Sequence, residues 1–310
     1  MLRSQRCLSR SAPHRRLAEA GRIQHKLTGR PPTQVGDQRN AHQARIPFAS
    51  LPVVTQYHLR ECDSAQGEIV EHMDIALACT GYPQRELTRL QMLLPQLAEV
   101  YSTLVFSVPP NLTQNEISVL ETIPKSLVVI NSEWSLGRRS AIQKSLETSA
   151  AHIHYADLDR VLHWIEIDPV ERQQVVTRIP TTDCLIIGRT DTAFQTHPQA
   201  LQQTERIINA IFSHLLGQAV DLGGGSRGFS RQAARFLMTH SVRSQAWCVD
   251  SEWVMLLHRA GFKIEYIAVN GLESPGYTTT YDAEVKRWEF RVKVALDIIQ
   301  SGLAATQKKL

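Results

Sequence analysis

The sequence lacks the features that mark membrane-spanning, disulfide-stabilised and P-loop proteins. No apolar run reaches ~18 residues, so we expect no helix that crosses a bilayer. The five cysteines form no CxxC pair, which argues against a disulfide framework or a structural zinc site and fits a cytoplasmic location. Because no GxxxxGKS or GxxxxGKT segment occurs, a P-loop ATPase is not indicated either.

The chain has 310 residues, of which 43% are apolar, so it is long enough to bury a sizeable core. Its net charge of +4 is unevenly distributed. Residues 1–45 contain nine arginines and one lysine against two acidic residues, a net charge of +8, so the remainder carries −4. The basic character therefore belongs to an N-terminal tail, and the body of the protein is mildly acidic.

The tail, residues 1–45, is poor in periodic apolar residues and is predicted to be disordered. A transit peptide, an arm that binds nucleic acid or anionic lipid, and translated sequence upstream of the true start are three explanations for it. We favour an unstructured, non-catalytic extension. Residues 46–73 form a lead-in segment to the regular part of the chain.

From residue 74 to about residue 270, short apolar runs alternate with segments of helical periodicity. The strand-like runs are 74–79, 103–108, 127–130, 152–156, 184–187 and 263–269. Such alternation predicts a single α/β domain with a mostly parallel central sheet and helices on both faces.

Residues 271–310 are predicted to form a C-terminal helical appendage. Within it, five apolar residues recur at steps of three and four and fall on one stripe of a helix. They are Val285, Trp288, Val292, Ala295 and Ile299. The polar face carries both signs of charge, so we predict packing within the chain or self-association as a homodimer, and not bilayer binding.

Asp157 and Asp159 follow the apolar run that ends at residue 156, so they lie at the carboxyl end of a predicted strand. Ligands of α/β sheets bind beyond these strand ends. Two carboxylates spaced by one residue suit a hard divalent cation such as Mg²⁺ or Mn²⁺, whose open positions take phosphate oxygens. Thr80, at the end of the first predicted strand, is a further ligand-binding candidate by position.

Several arginines stand where a phosphate would bind. Gly137 and Arg138 open a helix, and a helix N-terminus with a nearby glycine and arginine favours an anion. Arg189 ends another strand, and Arg206 lies in the long helix that follows it. These residues predict a surface that binds the phosphates of a ligand.

Two later segments complete the candidate site. Residues 221–231 are rich in glycine, which predicts an irregular backbone lying against a ligand, with Ser226 and Arg227 contacting it. Asp250 and Glu252 begin an amphipathic helix. A helix start stabilises carboxylates, and one of these two is our candidate for the general base that deprotonates an acceptor hydroxyl.

The order of these motifs resembles the GT-A glycosyltransferases of the family 2 type, in particular the polyprenyl- and dolichol-phosphate mannosyltransferases. The resemblance implies a Rossmann-like GT-A domain that uses Mg²⁺ or Mn²⁺ to transfer a sugar from a nucleotide-diphosphate donor. The acceptor would be a lipid phosphate or a small molecule, and the enzyme cytoplasmic or peripheral to a membrane. The resemblance also implies that Asp157 contacts the donor, Asp159 the metal, Arg189 and Arg206 the phosphates, and Glu252 the acceptor.

Two alternatives remain at this point. A sugar nucleotidyltransferase would also use an α/β sheet and metal-binding carboxylates, but it needs a loop rich in glycine and basic residues after the first strand. Residues 80–85 offer only one glycine and one arginine. A non-catalytic domain that binds nucleic acid through the basic tail is the second alternative.

Overall fold

The structure is a computed structural model that describes residues 74–81, 86–242, 245–276 and 281–307. The predicted tail (1–45), the lead-in segment (46–73) and most of the turn after the first strand lie outside the described residues.

The described residues form one sheet of seven strands in the order β3-β2-β1-β4-β6-β5-β7. The strands are β1 (Ile75–Thr80), β2 (Thr103–Val108), β3 (Ser126–Ile130), β4 (His152–Asp157), β5 (Cys184–Arg189), β6 (Ser226–Ser230) and β7 (Ile264–Val269). All neighbours are parallel except β6, which runs antiparallel to both β4 and β5. The predicted α/β class and mostly parallel sheet are confirmed.

Ten α-helices accompany the strands in the described part of the chain. They are α1 (Leu87–Val100), α2 (Gln114–Glu121), α3 (Gly137–Ser145), α4 (Leu158–Ile167), α5 (Pro169–Val176), α6 (Asp191–Gln195), α7 (Gln199–Leu216), α8 (Arg231–His240), α9 (Val249–Arg259) and α10 (Tyr281–Gln307). The buried apolar side chains form two core clusters, one containing Leu77 and Leu97 and the other Ile186 and Trp253. A sheet covered on both faces accounts for the unbroken apolar run of β1, whose residues are all buried.

Strand β6 corrects the prediction for residues 221–231. Gly223, Gly224 and Gly225 precede the strand, in a turn that ends at Gly225 with a φ of +66°, a conformation that glycine adopts without strain, whereas Gly228 lies within the strand. Ser226–Ser230 then pairs with β4 and β5, and Phe229 is fully buried in the core. The glycine content concealed a central strand because the strand, Ser-Arg-Gly-Phe-Ser, contains a single large apolar residue and so shows no apolar run.

The sheet brings five of the predicted site residues to one edge. Thr80 and Asp157 are register partners at the ends of β1 and β4, and Arg189 ends β5. Because β6 is antiparallel, its first residues, Ser226 and Arg227, reach the same edge.

The C-terminal helix α10 packs along α7 and α9. Val294, Ala295 and Ile298 are buried in this contact, whereas Val285 and Val292 remain exposed. The predicted packing within the chain is thus present, but the buried face is rotated away from the predicted stripe. Among the described residues, no helix combines the length and the apolarity needed to cross a membrane.

The packing of α10 predicts opposite behaviour at two consecutive residues. Ala295→Glu places a carboxylate in a buried contact and should lower the free energy of unfolding by at least ~2 kcal/mol. Leu296→Glu, at a half-exposed position, should change it by less than ~0.5 kcal/mol. Urea denaturation of both variants measures the difference; equal effects would contradict this packing.

Candidate functional site

Asp157 is the point at which three elements meet. Its Oδ1 accepts hydrogen bonds from the Thr80 hydroxyl, at 3.0 Å, and from the Tyr155 hydroxyl, at 2.5 Å. Its Oδ2 accepts from Nη2 of Arg138, at 3.1 Å. The carboxylate at the end of β4 is therefore held in place by β1 on one side and by α3 on the other.

Arg138 connects Asp157 to Asp250. Its Nη1 donates to Oδ1 of Asp250 at 2.7 Å, and the same oxygen accepts from Nη1 of Arg227 at 3.0 Å. Arg227 is almost fully buried and also donates to the carbonyls of Asp250 and Leu222. The side chains of Asp157, Arg138, Asp250 and Arg227 thus form a continuous chain of alternating charge. This chain connects the end of β4, the starts of α3 and α9, and β6.

Asp159 lies in the first turn of α4 and has a half-exposed side chain. Partial burial raises the pKa of its carboxyl group; Arg160 opposes this shift, and the negative charges of Asp157 and Glu86 add to it. The Asp159 carboxylate is 3.9 Å from the Arg160 guanidinium. Asp159 therefore lies close enough to Asp157, Glu86 and Arg160 for all three charges to act on its carboxyl group.

Gly137 is the first residue of α3 and lies close to the ends of β1 and β2. Its carbonyl accepts from the Ser107 hydroxyl at 2.7 Å, and the Asn131 amide donates to that hydroxyl at 2.6 Å. An added Cβ on Gly137 would lie 3.7 Å from the Thr80 side chain. These contacts fix the N-terminal turn of α3, so that Arg138 faces Asp157.

Arg189 is held by two buried carboxylates. Its Nε and Nη2 donate to Asp221, at 2.7 and 2.8 Å, and Nη2 also pairs with Glu205. Glu205 in turn pairs with Arg291 of α10. The described contacts thus give Arg189 a role in joining β5 to α7 and, through Glu205, to α10.

Ser226 belongs to a second buried polar chain. Its hydroxyl is 2.8 Å from Nε2 of His154, and Nδ1 of His154 is 2.7 Å from the Tyr101 hydroxyl. Burial, together with the charge of Arg172, lowers the pKa of His154 to about 3, so this imidazole is neutral at physiological pH. Ser226 contacts this chain below the strand ends.

Two predicted site residues lie apart from Asp157. Both carboxylate oxygens of Glu252 are occupied by the 241–242 segment, since Oε2 accepts from the Ser241 hydroxyl and Oε1 from the Val242 amide. Arg206 is exposed, and its guanidinium lies over the ring of Phe194 in a separate groove. The structure brings Asp250 to the site, but not Glu252 or Arg206.

A cavity of about 250 Å³ adjoins Asp157 and Asp250. Most of the wall of this cavity comes from α4, α7, the 223–225 turn and α10, and these residues were not predicted from the sequence. Besides Arg138, Asp157, Arg189 and Asp250, the lining includes Arg160, His197, Glu205, Trp247, Leu272, Phe290, Arg291, Val294 and Ile298. Only Arg160 carried a usable signal, because it directly follows the paired aspartates.

No protein-family model and no curated protein sequence matches this chain. Solved structures do. Glucosyl-3-phosphoglycerate synthase from Mycobacterium tuberculosis aligns with a TM-score of 0.52 at 14% identity, over 77% of this chain and 82% of that one. Its complex with uridine diphosphate aligns at 0.51 and 13%, and its complex with Mn²⁺, UDP-glucose and glycerol 3-phosphate at 0.50 and 12%, both with the same coverage.

The fold is GT-A-like. This likeness confirms the fold that the sequence resemblance implied, and at such low identity it carries the fold alone. The narrower resemblance to dolichol-phosphate mannosyltransferases is not supported by it.

His197, a buried residue of the cavity wall, should make the free energy of unfolding depend on pH. Burial and the nearby charge of Arg189 lower the pKa of His197 to about 4, against ~6.5 in an unfolded chain. Between these values the unfolded chain binds the additional proton, so the free energy of unfolding falls as the pH decreases from ~6.5 to ~4.

His197→Gln should flatten this part of the profile, measured by urea denaturation at several pH values. His258→Gln, at an exposed position of α9, serves as the control and should leave the slope unchanged. An unaltered slope in His197→Gln would contradict the assignment.

Proposed function

We propose that this protein is a glycosyltransferase that uses a nucleotide-diphosphate sugar and a divalent cation. The observation that carries the proposal is the meeting of Asp157, Arg138 and Asp250 at one edge of a GT-A-like sheet, with Asp159 beside them. Paired carboxylates for a cation, an arginine for phosphate and a further carboxylate for a hydroxyl are what such a transfer requires.

Arg138 is the residue we assign to the leaving diphosphate. It stands at the N-terminal turn of α3, where the helix dipole adds to its charge, and it faces Asp157. As the bond from the sugar to the diphosphate breaks, negative charge develops on the leaving group. A guanidinium fixed on two sides provides positive charge without reorganising during the reaction.

Asp157 and Asp159 fit a divalent cation of the Mg²⁺ or Mn²⁺ type, since both offer oxygen ligands and lie close enough for their charges to interact. Bound there, such an ion supplies Lewis-acid stabilisation of the leaving diphosphate. In the described part of the chain, no group of three or more His, Cys, Asp or Glu side chains is placed to hold a metal. Two carboxylates leave the remaining positions to donor phosphates and water, so we expect cation and donor to bind together.

Asp250 is our candidate general base, should the transfer invert the configuration of the sugar. It lies at the border between Arg138 and the cavity, where an acceptor hydroxyl would approach. Glu252 is fully engaged by the 241–242 segment, so we assign it a positioning role for the start of α9.

The neighbouring synthase structures support this donor class, because they contain uridine diphosphate, or Mn²⁺ with UDP-glucose. We therefore propose a uridine-type donor as the first to test. A lipid-phosphate acceptor, suggested by the sequence resemblance, rests on that resemblance alone.

The expected coupling between cation and donor is measured by thermal unfolding. UDP-glucose with Mn²⁺ should raise the melting temperature, whereas Mn²⁺ alone or UDP-glucose with EDTA should have little effect. A ligand at about 100 times its Kd stabilises the native state by about 2.7 kcal/mol.

Asp159→Asn should abolish the shift that requires Mn²⁺, while Glu147→Gln, on an exposed position distant from the site, should retain it. If no nucleotide sugar in a panel of uridine, guanosine and thymidine donors shifts the melting temperature, the proposed function is wrong.

Asp250 and Glu252 form a matched pair for the base assignment. With any acceptor that is turned over, Asp250→Asn should slow release of the nucleoside diphosphate by about 10²–10⁴-fold, a typical contribution of a general base. Glu252→Gln should lower stability but leave the rate within about threefold once the fraction folded is accounted for. The reverse order of effects would transfer the assignment to Glu252.

A further inference from the structure

Helix α10 carries apolar side chains on two opposite faces. Val294 and Ile298 are buried against the rest of the domain. Four large apolar side chains remain 40–56% exposed, and at about 100° per residue they lie within about 40° of one another, on the side turned away from the buried face. These four residues, the outer stripe of α10, are Val285, Val292, Leu296 and Leu303.

The outer stripe runs along most of the helix. Val285 and Leu303 are 18 residues apart, which corresponds to about 27 Å at ~1.5 Å per residue. Trp288 and Ile299 are half-buried and border the stripe on one flank. A helix with apolar residues on its outer as well as its inner side is typical of a helix enclosed from both sides. Because the described residues leave the outer stripe exposed, we expect a partner to cover it.

The spacing of the outer stripe indicates that this partner is a second copy of the chain. Its four residues follow one another at steps of seven, four and seven, the same in both directions. A twofold axis level with Val294 places Val285 against the partner's Leu303. The same axis places Val292 against the partner's Leu296, so that a valine meets a leucine at every position. Twofold dimers use the same patch on both subunits, which requires this kind of self-complementarity.

Two polar residues beside the stripe favour the antiparallel arrangement. Glu289 and Gln300 are exposed and lie on the same side of α10 as the outer stripe. In the antiparallel pair, Glu289 lies beside the partner's Gln300, whose side-chain amide donates to the carboxylate. In a parallel pair in register, Glu289 would face the partner's Glu289, and like charges placed together oppose association.

We propose that the protein forms a homodimer in which the outer stripe of α10 packs antiparallel against the outer stripe of a second copy. The other side of the same helix contributes Phe290 and Arg291 to the cavity beside Asp250. Dimerisation therefore holds in place the helix that forms one wall of this cavity. This contact does not depend on the proposed function.

The dimer should be weak. A single pair of helices lies at the low end of the size range of specific interfaces, so we expect a Kd of about 10–100 µM. Sedimentation velocity of the full chain, from about 1 to about 500 µM, measures this Kd. At about 1 µM the monomer predominates, so urea denaturation of Ala295→Glu and Leu296→Glu at this concentration reports packing within one chain.

Leu303→Glu and Ala304→Glu are a matched pair of variants. Both positions are exposed, but Ala304 is rotated by about 100° from Leu303. Leu303→Glu places a carboxylate in the apolar contact twice per dimer and should raise the Kd at least about 100-fold. Ala304→Glu should leave the Kd within about threefold of the wild-type value. Urea denaturation at low protein concentration checks that both variants are folded.

Gln300→Lys should strengthen the dimer. Its ammonium group faces the partner's Glu289 in the antiparallel pair, and the contact occurs twice. The Kd should fall by about twofold or more at low salt, and the gain should disappear at ~1 M salt. In a parallel pair the two new lysines would face each other and weaken the dimer.

Cysteine cross-linking tests the direction of the helices. The variants also carry Cys7→Ser and Cys62→Ser, because the cysteines in the described part of the chain are buried. A mixture of the Val285→Cys and Leu303→Cys proteins should form an intermolecular disulfide, since these positions face each other. Either protein alone should not, because its two cysteines lie about 27 Å apart, against a limit of ~7 Å between disulfide-linked Cα atoms.

Three results would overturn the proposal. They are a chain that stays monomeric at about 500 µM, a disulfide formed by either cysteine variant alone, and an unchanged Kd in Leu303→Glu. If the monomer floats with anionic liposomes and Leu303→Glu abolishes flotation, the outer stripe binds a lipid surface instead. If the Leu303→Cys thiol of the monomer resists alkylation, residues 1–73 cover the stripe instead.

Discussion

The guanidinium of Arg138 is the group on which the geometry of this edge depends. It holds Asp157, at the end of β4, and Asp250, at the start of α9, through separate nitrogens, and so fixes the distance between two carboxylates that belong to different elements. Without a cation between them, these carboxylates would repel each other. The same residue therefore orients the two carboxylates that we propose to lie on the donor side and the acceptor side of the site.

Buried charge is a recurrent cost in this structure, and it is offset each time by pairing. Glu205 bridges Arg189 and Arg291, while Asp221 binds Arg189 through the backbone amide and the side chain. Removing one partner from such a set leaves an uncompensated charge, which typically costs ~3–5 kcal/mol. The network ties α10 to the strand ends, so that a helix at the far end of the sequence lines the same cavity as Asp157.

The sequence allowed the strands, the sheet class and the paired aspartates to be predicted, because unbroken apolar runs mark buried parallel strands and Asp157 directly follows one of them. It did not distinguish Arg138 from Arg189. Both adjoin a glycine near a strand end, and only the fold shows that Arg189 is enclosed by Asp221 and Glu205. The contribution of Arg291 to the cavity was likewise unpredictable, since it depends on which face of α10 packs inward.

The antiparallel strand β6 also has a consequence for the order in which the sheet is completed during synthesis. In the described sheet, β6 is the strand that joins β4 to β5, and β7 pairs with β5. Strands β1 to β4 form a contiguous parallel set. In the described sheet, β5 is connected to this set through β6, which is complete only when the chain has been made through Ser230. Closing the sheet therefore waits for a segment that begins 69 residues beyond the end of β4, a separation that slows folding and exposes the edges of β4 and β5 to a chaperone or to another chain in the meantime.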